Sequence, residues 1–258
     1  MTKRAGGTRS PEPEELPDSD LDWDEVVDVV CVSFGPGPMA HAISGAQRGL
    51  RVLSVAQPQV WDAGAAAYIA EMTAGLPTAA TVREPVLTRA RPVDAESAPI
   101  DTFVGARLRD WSALCWTSAF GVLYTDVVGV DMTPMRTDDD LRIVAAAVGT
   151  YPPGGSALAD WVAAQAREYG VQPDPDVSLQ RLIFEHGRVA GVELGTGSGS
   201  LLVRALDGVA LPPARPDHAA SDADRTARPD PREVAIVGLP ASRFGRVELL
   251  TPGPPETG

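Results

Sequence analysis

Serine, glycine and proline occupy the positions at which a strand-to-helix turn would meet an anion. In Val29-Val30-Cys31-Val32-Ser33-Phe34-Gly35-Pro36-Gly37-Pro38-Met39-Ala40 an apolar run leads into a glycine-rich turn and then into small, helix-compatible residues. A turn of the form Gly-x-Gly-x-x-Gly at such a junction cradles the pyrophosphate of a dinucleotide. Its first glycine makes the tight turn, its second lets the backbone approach the phosphates, and its third lets the helix pack closely on the strand. Here the three positions hold Ser33, Gly35 and Pro38, with Gly37 as an additional glycine. Gly35 therefore keeps the phosphate-contacting position. Ser33 adds a side chain where the turn is tightest, Phe34 sets a ring beside the phosphate path, and Pro38 removes an amide that could face an anion. At the end of the next strand, where an acid would hold a ribose hydroxyl, the chain has Ala56.

The elements that must position this turn follow from periodicity. Val26 to Val32 predicts a strand buried on both faces, Ala40 to Gly49 a helix ending at glycine, and Leu50 to Val55 a second strand parallel to the first. Gln59 to Tyr68 predicts an amphipathic helix. Gly154-Gly155-Ser156-Ala157-Leu158 opens another helix that runs to Tyr169, with Ser156 as its expected N-cap. In Gln172-Pro173-Asp174-Pro175-Asp176, prolines two apart cannot donate to a strand ladder, so no central strand is expected there. Val104 to Trp116 predicts a helix and Phe120 to Val130 a strand; Glu233 to Gly238 and Arg246 to Leu250 predict two further strands.

Trp23-Asp24-Glu25-Val26-Val27-Asp28-Val29-Val30 leading into the glycine turn, followed in order by Gly154-Gly155-Ser156-Ala157-Leu158, Gly170-Val171 and Leu182 through Val192, resembles the FAD-dependent oxidoreductases of the fumarate reductase and 3-ketosteroid Δ1-dehydrogenase type. The resemblance implies an α/β, Rossmann-like FAD-binding-domain fold with a parallel sheet, a β-hairpin insertion and a small α+β appendage. It implies FAD as the cofactor, held at Ser33, Gly35, Gly37, Gly154 and Gly155, and a steroid-like or other hydrophobic substrate. The chain also departs from that pattern. The small Ser/Thr/Gly segment that would approach the flavin is replaced by Gln59 to Tyr68, the family's return strand is unrecognisable in Arg204 to Ala210, and its closing glycine motif is expected beyond Gly258. Three readings follow. The leading one is a degenerate FAD-binding-like protein that acts as a scaffold or partner subunit, beside an active flavoprotein relative or itself. The second is a functional FAD oxidoreductase, and the third a nucleotide or small-ligand module without redox chemistry.

Composition narrows the remaining classes. The 258 residues carry a net charge of −13, which gives nucleic acid no broad cationic surface. No stretch approaches the roughly 20 apolar residues needed to span a bilayer, so no membrane insertion is expected. Cys31 and Cys115 fall in apolar segments, which fits free thiols in the cytoplasm. Residues 1–21 read as a disordered acidic tail preceding a domain over 22–258. Within that domain 78–149 reads as an appended or residual substrate-domain segment, and 211–232 as a disordered loop. No catalytic residue can be assigned. Trp111, Trp116, Phe120 and Tyr124 are read as core before pocket. Tyr124 and Tyr151 are tyrosines of the type that such relatives use as acid or base. Asp138-Asp139-Asp140 reads as the charged N-terminus of a helix. His41, His186 and His218 have no metal-ligand spacing.

Overall fold

A computed structural model of the chain describes residues 21–33, 35–58, 60–78, 85–93, 104–126, 132–213 and 232–253. The expected tail and most of the expected 211–232 loop, with Phe34, Gln59, Val130 and His218, lie outside these. In chain order the elements are β1 (Glu25–Val27), β2 (Val29–Ser33), α1 (Pro36–Gln47), β3 (Val52–Ala56), α2 (Ala63–Met72), β4 (Val86–Pro92), α3 (Val104–Trp116), β5 (Gly121–Tyr124), β6 (Thr133–Thr137) and β7 (Arg142–Tyr151). There follow α4 (Leu158–Glu168), β8 (Asp174–Glu185), β9 (Arg188–Thr196), β10 (Gly199–Ala205), β11 (Val209–Leu211), β12 (Arg232–Gly238) and β13 (Phe244–Pro252).

The β-α-β unit is present. β2 and β3 pair in parallel from Val29↔Val52 to Ser33↔Ala56, with α1 as the crossover. Every residue of β2 is buried, because its two faces enter different cores. Val29 and Cys31 pack with Ala40 and Ile43 of α1 and with Leu158 and Val162 of α4. Val30 and Val32 pack on the other side with Val55, Leu179, Leu194 and Val203. The single strand expected over Val26 to Val32 is broken at Asp28. That carboxylate accepts from the Arg51 amide at 2.7 Å, and the chain steps from β10, which pairs with β1, to β3 and β11, which flank β2.

The fold is α/β, with parallel and antiparallel pairs in one sheet of order β1-β10-β9-β8-β3-β2-β11-β5-β13-β12-β7-β6-β4. β8, β9 and β10 form an antiparallel meander, and the expected hairpin turn is realised by His186 (φ 50°) and Gly187 (φ 78°), the left-handed pair of a type I′ turn. The proline-rich stretch does reach the sheet, contrary to expectation. β8 meets β3 at Val55↔Asp174 and Ala56↔Ser178, and Pro175 falls in the irregularity between these pairings, where it owes no ladder hydrogen bond. The return strand is β11, parallel to β2 at Val209↔Val30 and Ala210↔Cys31, although its sequence carries no recognisable motif.

β13 also pairs with β4 in parallel, Glu248↔Val86 through Pro252↔Ala90. Because β13 pairs with β12, β12 with β7, β7 with β6 and β6 with β4, these strands close into a ring. Helix α3 packs on β13 and β5, with Trp111 donating to the Phe244 carbonyl at 2.8 Å. Asp138 to Asp140 form the turn between β6 and β7, not a helix start. Asp140 is left-handed (φ 63°) and pairs with Arg136 at 2.5 Å, a contact that holds its carboxyl below the usual carboxylate range. Among the described residues no helix is long and apolar enough to cross a membrane.

Candidate functional site

The start of α1 is where the sequence places a phosphate cradle. Gly35 is the N-cap, with φ 93° and ψ 173°, a conformation that only glycine adopts without strain. The first helical residues are Pro36, Gly37 and Pro38, all buried, and no side chain caps the helix. A helix N-terminus binds anions through the free N–H groups of its first turn. Two of those three residues are prolines and have none, so Gly37 carries the first-turn amide.

Gly37 itself is packed against the chain. A Cβ added there would sit on the carbonyl oxygen of Gly121, 2.7 Å from that carbonyl carbon and 3.0 Å from the Phe120 oxygen. Backbone at the entry to β5 therefore lies directly on the first turn of α1. It is fixed there from the other side, since Val247 of β13 donates to the Phe120 carbonyl at 2.9 Å. Gly35 faces the same segment, its notional Cβ 3.6 Å from the Ala119 oxygen. Gly37 thus serves close packing, a role that its spacing from Ser33 did not reveal.

Ser33 and Ala56 end the two parallel strands side by side. The Ser33 hydroxyl is buried without a hydrogen-bond partner among the described residues, and so are the Ser54 hydroxyl and the Gln57 side-chain oxygen. Ser33 ends β2, Ser54 is the middle residue of β3 and Gln57 follows its last residue, and the carboxyl ends of strands form the edge at which α/β sheets bind ligands.

Gly154 and Gly155 lie in the turn between β7 and α4, apart from these groups. Gly154 (φ 63°) has open space around it, and Gly155 is packed on Pro152 and Tyr151. The strand leading into this turn is tied to the far end of α1, where the Gln47 amide donates to the Val148 carbonyl at 2.8 Å. The structure thus places Ser33, Gly35 and Gly37 at the junction of β2 and α1, and Gly154 and Gly155 in the turn between β7 and α4. Ser156 is not the N-cap of α4; Ala157 holds that position without a side-chain hydrogen bond, while the Ser156 carbonyl accepts from the Tyr151 hydroxyl. By contrast α2 has a side-chain cap, Asp62, which accepts from Gly64 at 2.8 Å and Ala65 at 3.2 Å.

The other candidates are core residues. Trp111, Trp116, Phe120 and Tyr124 are all buried. Tyr124 lies 4.8 Å from the His41 ring, edge to face, and its hydroxyl has no partner among the described residues. Burial, followed by the neighbouring thiols Cys31 and Cys115, pushes its pKa up, which leaves it unsuited to proton transfer. Burial and then the Arg48 charge lower His41 to about 4. Cys31 and Cys115 are free and buried, and burial raises both thiols, so neither is an activated nucleophile.

A group missed in the sequence is the ion pair on β13. Arg246 donates to Glu248 at 2.6 Å, both side chains are almost wholly buried, and Thr88 donates its hydroxyl to the second carboxylate oxygen. The guanidinium also lies 5.0 Å from the centroid of the Trp111 ring. Alternation along β13 gave only apolar and charged residues in turn, with nothing to show that both faces are covered.

FAD is the cofactor that the resemblance implies, and the residues at the head of α1 do not fit its pyrophosphate. The turn supplies a single first-turn amide, that amide belongs to a residue pressed on β5, and the ribose-binding acid is Ala56.

No protein-family model and no curated protein matches this chain. Three solved structures that resemble it in part are a geranylgeranyl bacteriochlorophyll reductase-like protein from Thermoplasma acidophilum, the FAD-dependent chondrochloren halogenase of a myxobacterium, and the 3-ketosteroid-Δ4-(5α)-dehydrogenase of Rhodococcus jostii. Their identities are 15%, 16% and 20%, with TM-scores of 0.29, 0.29 and 0.31. The alignments cover 70%, 70% and 74% of this chain but 38%, 36% and 46% of those proteins, so the chain spans less than half their length.

Proposed function

We propose that this protein is a dinucleotide-fold scaffold that acts through protein contacts and does not use FAD for redox chemistry. The observation that carries this reading is the contact of Gly37 with the Gly121 carbonyl, which puts the chain's own backbone on the first turn of α1. Pro36, Pro38 and Ala56 support it independently, since each withholds a group that a bound dinucleotide would use. The partner on this reading is a second copy of the chain or an intact flavoprotein relative. Light scattering on the purified protein, with copurification from native extract, tests it: a complex of defined stoichiometry is expected, and recovery only as a free monomer would count against it.

A second reading rests on the unpartnered Ser33 and Ser54 hydroxyls and the Gln57 oxygen, which suit a small neutral polar ligand at the carboxyl edge of β2 and β3. Adenosine, which lacks phosphates, is the probe; a saturable rise in Tm that Ser33→Ala removes would favour this reading over the scaffold.

A further inference from the structure

A cavity of about 270 Å³ lies at one end of the ring of strands, between α3, the turn that joins β6 to β7, and Leu239, which follows β12. Gly238 pairs with Val144 close to the start of β7, which brings Leu239 beside that turn. Its apolar wall is Trp111 and Leu114 of α3 with Leu141 and Leu239; its charged groups are Arg107 and Asp110 of α3 and Asp139 of the turn.

The wall is fixed from behind and open in front. Trp111 is buried, its indole N–H is held by the Phe244 carbonyl, and the Arg246 guanidinium, with Glu248 as counter-ion, lies 5.0 Å from its ring centroid. Leu114 is 45% exposed, apolar area that a bound molecule would cover.

The two acids stand on separate elements and are unanswered, unlike their neighbours in the turn. Asp138 pairs with Arg89 at 3.5 Å and Asp140 with Arg136 at 2.5 Å, whereas neither the Asp110 nor the Asp139 carboxylate forms an ion pair or hydrogen bond with a described residue. Arg107 is not a free cation, and its charge also acts on Asp140, outside the cavity. Two carboxylates against one shared guanidinium leave the rim net negative beside an apolar wall. A ligand carboxylate would meet like charge there, and an uncharged apolar ligand would desolvate the acids without pairing them. A monocation with an apolar body satisfies both features.

We propose that this cavity binds a primary arylalkylamine. Its ammonium takes Asp110 and Asp139, and its ring lies on Trp111, Leu114 and Leu239. The site is separate from the turn at α1 and rests on neither reading of it.

Thermal-shift titration with phenethylamine at fixed ionic strength tests this, beside phenethyl alcohol, which has the ring without the charge, methylammonium, which has the charge without the ring, and hydrocinnamate, which reverses the charge. A saturable rise in Tm is expected with phenethylamine, with at least about tenfold weaker apparent binding of phenethyl alcohol and of methylammonium and no response to hydrocinnamate. Asp110 and Asp139 are exposed, so Asp110→Asn and Asp139→Asn are expected to fold and to weaken phenethylamine binding about fivefold each. Asp138→Asn removes a charge that Arg89 already answers and is expected to leave binding unchanged. Absence of any phenethylamine response, an equal response in a folded protein carrying both Asp110→Asn and Asp139→Asn, equal binding of phenethyl alcohol, or the same weakening by Asp138→Asn would each overturn the assignment.

Discussion

Replacing Gly37 with alanine sets two opposing effects against each other, and the sign of the result reports what lies over the start of α1. In an open helix the change gains up to about 1 kcal/mol, because alanine loses less backbone freedom than glycine on folding. In this structure the new methyl group would sit on the Gly121 carbonyl and 3.0 Å from the Phe120 oxygen. Those atoms are backbone, held by strand pairing and by the bond from Val247, so they cannot swing aside as a side chain could. Overpacking of this kind costs about 1–3 kcal/mol, which outweighs the propensity gain. The net expectation is a loss of roughly 1–2 kcal/mol, or a fall in Tm of about 2–8 °C for a chain of this size. Gly105→Ala on α3 is the control, since among the described residues no atom outside its own helix lies within 4 Å of the added carbon, and there a gain of a few tenths of a kcal/mol is expected. Calorimetry and urea denaturation of both variants provide the measurement. If Gly37→Ala stabilised the protein as Gly105→Ala does, the first turn of α1 would be open and the reasoning would fail.

Three further outcomes follow from the buried polar groups. Tyr124→Phe removes a hydroxyl that has no partner among the described residues, so urea denaturation is expected to show unchanged or higher stability, by about 1 kcal/mol; a clear loss would mean that the hydroxyl is bonded. Glu248→Gln leaves the Arg246 charge buried without its counter-ion and is expected to cost about 3–5 kcal/mol, while Arg246→Met combined with Glu248→Leu recovers most of it, and equal damage in both proteins would contradict a penalty based on charge. His41, held at about 4 in the fold against an ordinary value of 6.5, takes up its proton more readily when unfolded, so stability should fall as pH drops from about 6.5 toward 4 and level off below. The loss is on the order of 2 kcal/mol after allowance for solvent screening, and a His41→Gln protein with the same slope in denaturation across that range would remove His41 as its cause.

The local elements were readable where one short pattern determined them. The β2-α1-β3 unit and the spans of α3, β12 and β13 follow from periodicity within a few residues. What escaped the sequence depends on residues far apart. Val209–Leu211 is a return strand because Val30 and Cys31 lie beside it, and nothing in those three residues identifies the role. Asp138 to Asp140 turn because β6 and β7 pair on either side, which overrides the preference of acids for a helix start. Pro175 enters β8 because an irregular pairing with β3 leaves its missing donor without consequence. At the candidate site the loss of the amide at Pro38 was legible directly, and that at Pro36 became apparent once α1 was seen to start there. The approach of Gly121 to Gly37 was not legible, since the two positions are brought together only by the sheet.

The most direct test of the closed turn is an absorbance spectrum of the protein after incubation with excess FAD and removal of unbound flavin. The expected result is a protein peak without flavin bands, unchanged when Ser33→Gly, Pro38→Gly and Ala56→Glu are introduced together, because the Gly121 contact remains. Stoichiometric flavin absorbance in the unaltered protein would contradict the account.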